Sequence, residues 1–399
     1  MVKYSQSVDA ILKNVKISAY KTLFMIKRHY LNKIEEYLKP NKVLVIYGPR
    51  QVGKTTLLKE YLKTYSGKLY ESTGENLELR KVMESGDLSK ITSFFTGYEL
   101  VVIDEAQKIE NIGIALKILV DQVEGIKVIA TGSSSFDLSN KIGEPLVGRQ
   151  TVLHLFPVSA LELIENYGRM RVHEGLENNL IFGSYPEVVT TQGRQEKKDL
   201  LVQIRDSYLY KDILELENIK NSRKISDLLR LLAYQIGKEV SLQELGNSLD
   251  MSKNTVERYL ELLEKSFVLV NVRGFSRNLR KEVSKISRYY FYDNGIRNAV
   301  IDNFNALEPR DDAGQLWENY LFIERMKNRE YKRIYANQYF WRTYEKKEID
   351  LVEERDGRLF GYEFKYNDKK VKPPKDWLET YDNAEFSVIN KENYLDLIG

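Results

Sequence analysis

Three groups of residues in this sequence have the types and spacing to do chemistry. The first is "GPRQVGKT", Gly48 to Thr55, which fits the pattern G-x-x-x-x-G-K-[ST] between an apolar run and a helical one. Glycines let successive backbone N–H groups turn inward around an anion, and the N-terminus of the following helix adds partial positive charge. Gly48, Pro49, Arg50, Gln51, Val52, Gly53, Lys54, Thr55 and Thr56 are therefore the expected nucleotide cradle. Lys54 would reach the β- and γ-phosphates of ATP, and Thr55 would bind Mg²⁺. The second group, Asp104-Glu105, closes the apolar run "LVVIDE". Asp104 would hold the Mg²⁺ through water, and Glu105 would polarise the attacking water. A third apolar run ends in Thr131-Gly132-Ser133-Ser134. A hydroxyl there, assigned to Ser133, would sense the γ-phosphate; the alternative is a plain ST-turn. Arg149 is either an arginine finger or a structural salt-bridge partner.

The last group lies far downstream, in "EIDLVEERDGRLFGYEFK", Glu348 to Lys365. Apolar and polar residues alternate on both sides of Asp356-Gly357, a dipeptide favoured in two-residue hairpin turns. With that turn, Arg355 faces Arg358, and counting outward sets Asp350 opposite Glu363. Alternation puts Lys365 on the face of Asp350 and Glu363, and gives Ile349, Leu351, Phe360, Tyr362 and Phe364 to a core face. Two opposed carboxylates destabilise a sheet unless a cation or proton sits between them, so the hairpin asks for a metal.

The elements that position these groups follow from the rest of the chain. Its 399 residues suffice for two or three domains, and 42% apolar residues make it globular. No run is long enough to span a bilayer, no signal-peptide pattern opens the chain, and there is no Cys. These features predict a cytoplasmic protein without membrane, disulfides or thiolate metal sites. The net charge is only +3, so a nucleic-acid surface would have to be a local patch. Apolar runs beginning at Lys42 and covering 100–107 and 126–135, separated by helical patterns, predict βα units and a parallel sheet. The division expected is N-terminal helices to residue 40, a nucleotide-binding core over 41–160, a helical lid over 161–220, a winged helix over 221–290, and an α/β domain over 291–399.

Within 240–265, "VSLQELGNSLDMSKNTVERYLELLEK" reads as helix, turn, helix, with Ser252 as N-cap of the second. Val256, Tyr259, Leu260 and Leu263 form the buried stripe, leaving Lys253, Asn254, Glu257 and Arg258 outward as a recognition helix presents its readers. The following wing holds Arg273, Arg277, Arg280, Lys281, Lys285 and Arg288 against the single acid Glu282. Those charges suit DNA phosphates. A lid, a protein contact or a solvated face is the competing reading.

The order "YGPRQVGKTTLL", "VVIDEAQ", "TGSSS", "LVGRQ…LFPVSALE" and "GSYPEVV" resembles a family of archaeal and bacterial AAA-type ATPases fused to a C-terminal domain of unassigned function. "YLYKDIL", "YFYDNGIRNAV", "GQLWENYLF", "YFWRT" and "EIDLV…YEFK" resemble the markers of that second half, and the likeness covers roughly residues 26–370. Gly183-Ser184 and Leu146-Val147-Gly148-Arg149 depart from the family's glycine pair and its Leu-Ala-Gly-Arg. Asp350, Glu363 and Lys365 further resemble the PD-(D/E)xK pattern of Holliday-junction resolvases and restriction endonucleases. That resemblance implies a nuclease-like fold, adds Glu318 of "LWENYL" as a third carboxylate, and gives Lys365 the task of positioning or activating water beside Mg²⁺. The expectation is an α/β multidomain ATPase that binds ATP and Mg²⁺, acts on DNA, and possesses either a Mg²⁺-dependent nuclease site or an inactive docking module. A homo-oligomer is compatible with it.

Overall fold

The computed structural model describes residues 26–133, 145–207, 222–276, 286–343, 345–367 and 371–399. Most of the N-terminal helical segment, Ser134, and the wing residues Arg277, Arg280, Lys281 and Lys285 lie outside the described residues. A short helix, α1 (Ile34–Tyr37), leads into the first strand. Strands β1 (Lys42–Tyr47), β2 (Leu69–Thr73), β3 (Leu100–Asp104), β4 (Lys127–Gly132) and β5 (Gln150–His154) form an all-parallel sheet in the order β2-β3-β4-β1-β5. Helices α2 (Lys54–Leu62), α3 (Leu77–Met83), α4 (Leu88–Phe95) and α5 (Ile112–Gln122) make the connections. Leu44 and Ile46 pack into one core, while Val43 and Val45 pack into another on the opposite face. Burial on both faces is why these strands read as unbroken apolar runs.

Short helices follow: α6 (Ala160–Tyr167), α7 (Arg169–Glu174), α8 (Leu176–Phe182), α9 (Pro186–Thr190) and α10 (Arg194–Ile204). Next come α11 (Ser222–Tyr234), β6 (Glu239–Val240), α12 (Leu242–Leu249), α13 (Lys253–Lys265), β7 (Leu269–Gly274) and β8 (Ser287–Phe291). As expected, the Ser252 hydroxyl caps α13 by accepting from the Thr255 N–H, and Val256, Tyr259, Leu260 and Leu263 are buried.

The remaining elements are α14 (Asn294–Val300), α15 (Ala313–Lys332), β9 (Asn337–Arg342), β10 (Glu348–Arg355), β11 (Arg358–Phe364), α16 (Lys375–Thr380), β12 (Ala384–Ile389) and α17 (Tyr394–Ile398). Strands from both regions form one sheet, in the order β12-β11-β10-β9-β7-β8-β6. Arg273 and Gly274 of β7 pair in parallel with Tyr339 and Phe340 of β9. The break expected at residue 290 therefore falls inside β8, where continuous hydrogen bonding joins the two regions.

The helix α15 is buried nearly all round, from Leu316 and Trp317 to Tyr331. Its polar side chains each meet a different element. Asn319 bonds the backbone N–H and C=O of Phe291, at 2.7 and 2.9 Å. Glu324 accepts from the Ala160 N–H at 2.6 Å, and Lys327 pairs with Glu324 at 2.7 Å. Arg325 donates two 2.8 Å bonds to the fully buried carboxylate of Glu353 on β10. Removing one partner of a buried pair leaves the other charge uncompensated. Glu353→Gln is expected to cost about 3–5 kcal/mol, measured from urea denaturation of the C-terminal sheet signal. A loss under about 1 kcal/mol would mean that Arg329 and Arg355, at 3.7 and 3.8 Å from Glu353, do not share that charge as placed.

Candidate functional site

The loop at 48–55 leaves β1 beside the exit of β5, and the Leu155 N–H donates to the Tyr47 carbonyl at 2.7 Å. A Cβ at Gly48 would lie 2.1 Å from the Leu155 carbonyl oxygen, so only glycine lets the loop begin there. Lys54, the first residue of α2, is buried and donates to the carbonyls of Gly48 and Pro49, both at 2.9 Å. Its ammonium thus lies across the mouth of its own loop, where a phosphate would take over those contacts. Burial pulls its pKa down to about 8, while the carboxylates of Glu105 and Asp104 oppose the shift.

Asp104 sits at the end of β3, and Thr131 at the end of the neighbouring β4. Thr55 donates to Asp104 Oδ2 at 2.5 Å, and the Thr131 hydroxyl donates to Oδ1 of the same carboxylate. The two oxygens expected to serve Mg²⁺ therefore already meet, and this hard-oxygen donor set fits the ion. Glu105 has a left-handed backbone (φ 51°), and its N–H bonds the Thr131 hydroxyl at 3.1 Å. Gln107 donates to the Glu105 carboxylate and to Ser133 Oγ, the latter at 3.1 Å. Ser133 thus reaches Glu105 through Gln107, and Thr131 is the hydroxyl that contacts Asp104 directly. Gln107 was not singled out from sequence although it closes the run "VVIDEAQ", and Thr131 was named only as the first residue of the run in which Ser133 was given the role.

Arg149 stands elsewhere. Its carbonyl accepts from the Val43 N–H, and its guanidinium pairs with Asp121 of α5 at 2.6 Å. Val43 is the second residue of β1, whereas the phosphate loop follows Tyr47 at the far end, roughly 13 Å away at strand rise. A finger acting on the chain's own nucleotide is ruled out by this placement; the salt-bridge alternative describes the contact observed. The residue that braces the loop is Arg28. Buried with Glu162 at 2.9 Å, it also donates to the carbonyls of Val52 and, at 2.6 Å, Phe156. Glu162 in turn forms a capping box with Ser159 at the start of α6. No periodic signal marked Arg28, because its partners lie up to 134 residues away.

In the C-terminal hairpin, Asp356 and Gly357 both have positive φ (50° and 72°), as a tight turn of this class needs. Arg355 pairs with Arg358 and Leu351 with Tyr362, so the register is the expected one, and its continuation by one residue places Asp350 across from Glu363. The facing pattern differs. A bulge against β9 between Ile349 and Val352 sends Ile349 into a cluster with Val352, Leu359, Trp341 and Trp377. Leu351, Tyr362 and Phe364 pack in the main core, with Phe360 against it. The bulge straddles Asp350, and bulges re-aim side chains in this way.

Asp350 accepts from the Phe364 N–H at 2.7 Å, and Lys365 pairs with Glu363. Glu318 comes from α15, accepts from the Tyr290 hydroxyl at 2.6 Å, and lies 3.7 Å from Arg288. Burial, then the neighbouring charges, push the carboxyl of Asp350 well up, and Glu363 is raised by the same leading cause. Burial pushes Glu318 up to about 7 against the pull of Arg288. Glu363 Oε2 is buried without a hydrogen-bond partner. An oxygen-rich set with one orphaned acceptor fits a divalent cation chemically. Among the described residues, however, no three carboxylates or histidines gather around one point.

Of the residues expected to meet DNA, Lys253, Asn254, Arg258 and Arg273 are exposed. Arg288 is not. It is buried, stacks 4.3 Å over the Phe340 ring, and pairs with Glu348 at 2.8 Å. Its removal from the basic wing surface is a correction: strand pairing of β8 turns this side chain into the cleft beside the hairpin.

Residues 40–164 match the family model of an AAA domain. Residues 173–307 and 313–394 match two domains of unknown function (DUF8612 and DUF4143). Uncharacterized protein MJ1544 of Methanocaldococcus jannaschii is 27% identical over 335 residues, covering 79% of this chain and 72% of that one. Uncharacterized protein Rv2008c of Mycobacterium tuberculosis is 26% identical over 327 residues, covering 81% and 70%. Among solved structures, the Walker-type ATPase paby2304 of Pyrococcus abyssi is 17% identical with a TM-score of 0.45, covering 69% of this chain and 94% of that one. The match over residues 40–164 supports an AAA-type, P-loop ATPase domain in the N-terminal region. No helix among the described residues is long and apolar enough to cross a membrane.

Lys54→Ala is expected to weaken ATP binding at least about tenfold in a fluorescent-nucleotide titration, as one charge-assisted phosphate contact is lost. Its melting temperature should stay within a few degrees of wild type. A second expectation concerns pH. Folded Glu318 keeps its proton to about pH 7, against 4.5 ordinarily, so folding takes up a proton and wild-type stability falls as pH rises through that window. Glu318→Gln does not titrate. In EDTA its stability relative to wild type should improve by about 1–3 kcal/mol between pH 4.5 and pH 8. A pH-independent difference would mean that Glu318 is charged throughout.

Proposed function

We propose that this chain is an ATP-hydrolysing AAA-type ATPase that acts on DNA, with a C-terminal nuclease-like domain housing a metal-dependent phosphodiester site. For ATP, Lys54 and the backbone N–H groups of the loop would hold the phosphates, with Thr55 and Asp104 placed for Mg²⁺. When bound, Mg²⁺ neutralises charge on the β- and γ-phosphate oxygens. Glu105, oriented by Gln107 and anchored through its N–H to Thr131, would take the proton of the attacking water. The strained backbone of Glu105 supports a functional role, since such conformations persist where the surroundings enforce them. Arg149 would contribute only across a contact between copies.

The DNA reading draws support from α12 and α13, arranged as the helix-turn-helix of a winged helix. The outer face of α13 presents Lys253, Asn254 and Arg258, with Arg273 exposed on β7. The observation that carries the nuclease-like reading is the hairpin register. It brings Asp350 opposite Glu363, with Lys365 ion-paired beside them and Glu318 near by on α15. A metal held there would polarise a phosphodiester. Lys365 would position water; burial pulls its pKa down, but the pairing with Glu363 and the neighbouring carboxylates outweigh this and raise it. One observation favours a second reading, an ATP-driven switch with an inactive docking module: Glu318 pairs with Arg288, and the three carboxylates are not gathered.

The deciding experiment incubates the full chain with Mn²⁺ or Mg²⁺ on duplex, single-stranded and branched DNA, with and without ATP. Metal-dependent cleavage that disappears in Asp350→Asn, together with DNA-stimulated ATP turnover that falls about a hundredfold or more in Glu105→Gln, is the expected result. DNA binding that weakens in Lys253→Glu/Arg258→Glu, with no cleavage of any substrate, would leave a DNA-bound ATPase whose tail serves for docking. No DNA affinity at all would refute the DNA reading.

A further inference from the structure

A cleft of about 830 Å³ separates Ile236–Glu239 and Arg288 on one side from the hairpin and the start of α15 on the other. Charges of both signs line it, and Arg288 is a buried cation among them. Its guanidinium is held between Glu348 at 2.8 Å and Glu318 at 3.7 Å, over the ring of Phe340. Glu318 is doubly occupied, since the same oxygen accepts from the Tyr290 hydroxyl. Two polar atoms here have no hydrogen-bond partner: Arg288 Nε, a donor, and Glu363 Oε2, an acceptor. Both residues are more than nine-tenths buried, at 4% and 6% exposure. A finished structural ion-pair network does not ordinarily leave a buried donor and a buried acceptor unsatisfied in the same neighbourhood.

The arrangement of charge points the same way. Four carboxyl groups, Glu318, Glu348, Asp350 and Glu363, lie around the paired cations Arg288 and Lys365. Asp350 and Glu363 are already opposed across the hairpin, and Glu318 is the group that stands apart, drawn toward Arg288.

We propose that Arg288 is a resident counter-cation of this cleft, which holds Glu318 away from Asp350 and Glu363, so that a divalent ion binds only as Glu318 leaves Arg288 to join them. Glu348 retains Arg288 when Glu318 moves, which keeps the guanidinium paired throughout the exchange. Metal affinity is thereby set by competition with an arginine of the same chain. This inference rests on the metal-site reading above, and its test separates the two.

The test titrates Mn²⁺ alone, without nucleotide, into full-length wild type, Arg288→Met, Asp350→Asn and the Arg288→Met/Asp350→Asn double variant, by calorimetry and thermal melting. Removing a positive charge a few ångströms from the ion should tighten Mn²⁺ binding by at least about tenfold. Arg288→Met is therefore expected to melt lower than wild type in EDTA, to recover more of its stability with Mn²⁺, and to lose that recovery in the double variant. Equal Mn²⁺ affinity in Arg288→Met and wild type, with binding abolished by Asp350→Asn, would overturn the counter-cation role and leave the metal site standing. Absence of Mn²⁺ binding in all four proteins would overturn both. Should Arg288→Met fail to fold, wild-type crystals soaked in Mn²⁺ decide the matter by anomalous scattering. The expected picture is manganese ligated by Asp350, Glu363 and Glu318, with Glu318 farther from Arg288 than the present 3.7 Å. Manganese beside Asp350 with Glu318 still on Arg288 would refute the exchange.

Discussion

A charge inside a protein must find its counter-charge there, and the helix α15 carries several with almost no exposure. Glu324, Arg325 and Lys327 are each less than 7% exposed. Their partners come from four places: the start of α6, Ser184 before α9, Glu353 on β10 and the C-terminal carbonyl of Leu397. Since an unpaired buried charge costs several kcal/mol, α15 is seated only when all four regions are in place. The ATPase half and the large mixed sheet are therefore joined through buried polar contacts as well as through a shared apolar core.

That joint bears on the chemistry because both candidate sites touch it. Glu318 rides on the N-terminal half of α15, within reach of Arg288 and the hairpin. Tyr331, near the other end, stacks on His29 at 4.7 Å between ring centroids. His29 adjoins Arg28, which braces the phosphate loop through the Val52 carbonyl. Glu162 ties the two ends together, accepting from Arg28 and from the His29 N–H at the edge of α6. A nucleotide that displaced Val52 would meet resistance from Arg28. This is contiguity of contacts; coupling additionally requires an element with two arrangements.

Polar groups that read as surface in a linear scan turned inward for identifiable reasons. Arg288 follows a basic stretch and looks like its last phosphate contact, yet pairing of β8 with β7 directs it over Phe340. Glu353 sits in "LVEER", an unremarkable charged tip of a hairpin, and is fully buried because α15 crosses that strand with an arginine in register. Ile349 left the core face expected of it because one bulge interrupts the alternation. In each case the deciding partner is distant in sequence, and a residue's own type cannot report it.

Local chemistry was sufficient where the chain itself supplies both partners. The spacing of the phosphate-loop motif, the Ser252 cap with its buried stripe on α13, and the Asp356-Gly357 turn with its register all depend on neighbours within about a dozen residues. Backbone geometry and periodicity carry that information in the residues themselves. Only tertiary structure decided that Arg149 lies at the far end of the sheet from the phosphate loop, that Arg28 braces that loop, and that one sheet crosses the expected boundary at residue 290. It alone decided, too, that Arg288 stands between Glu318 and Glu348. The physical reason is common to all four: burial and Coulomb pairing act through space, over distances the sequence does not record.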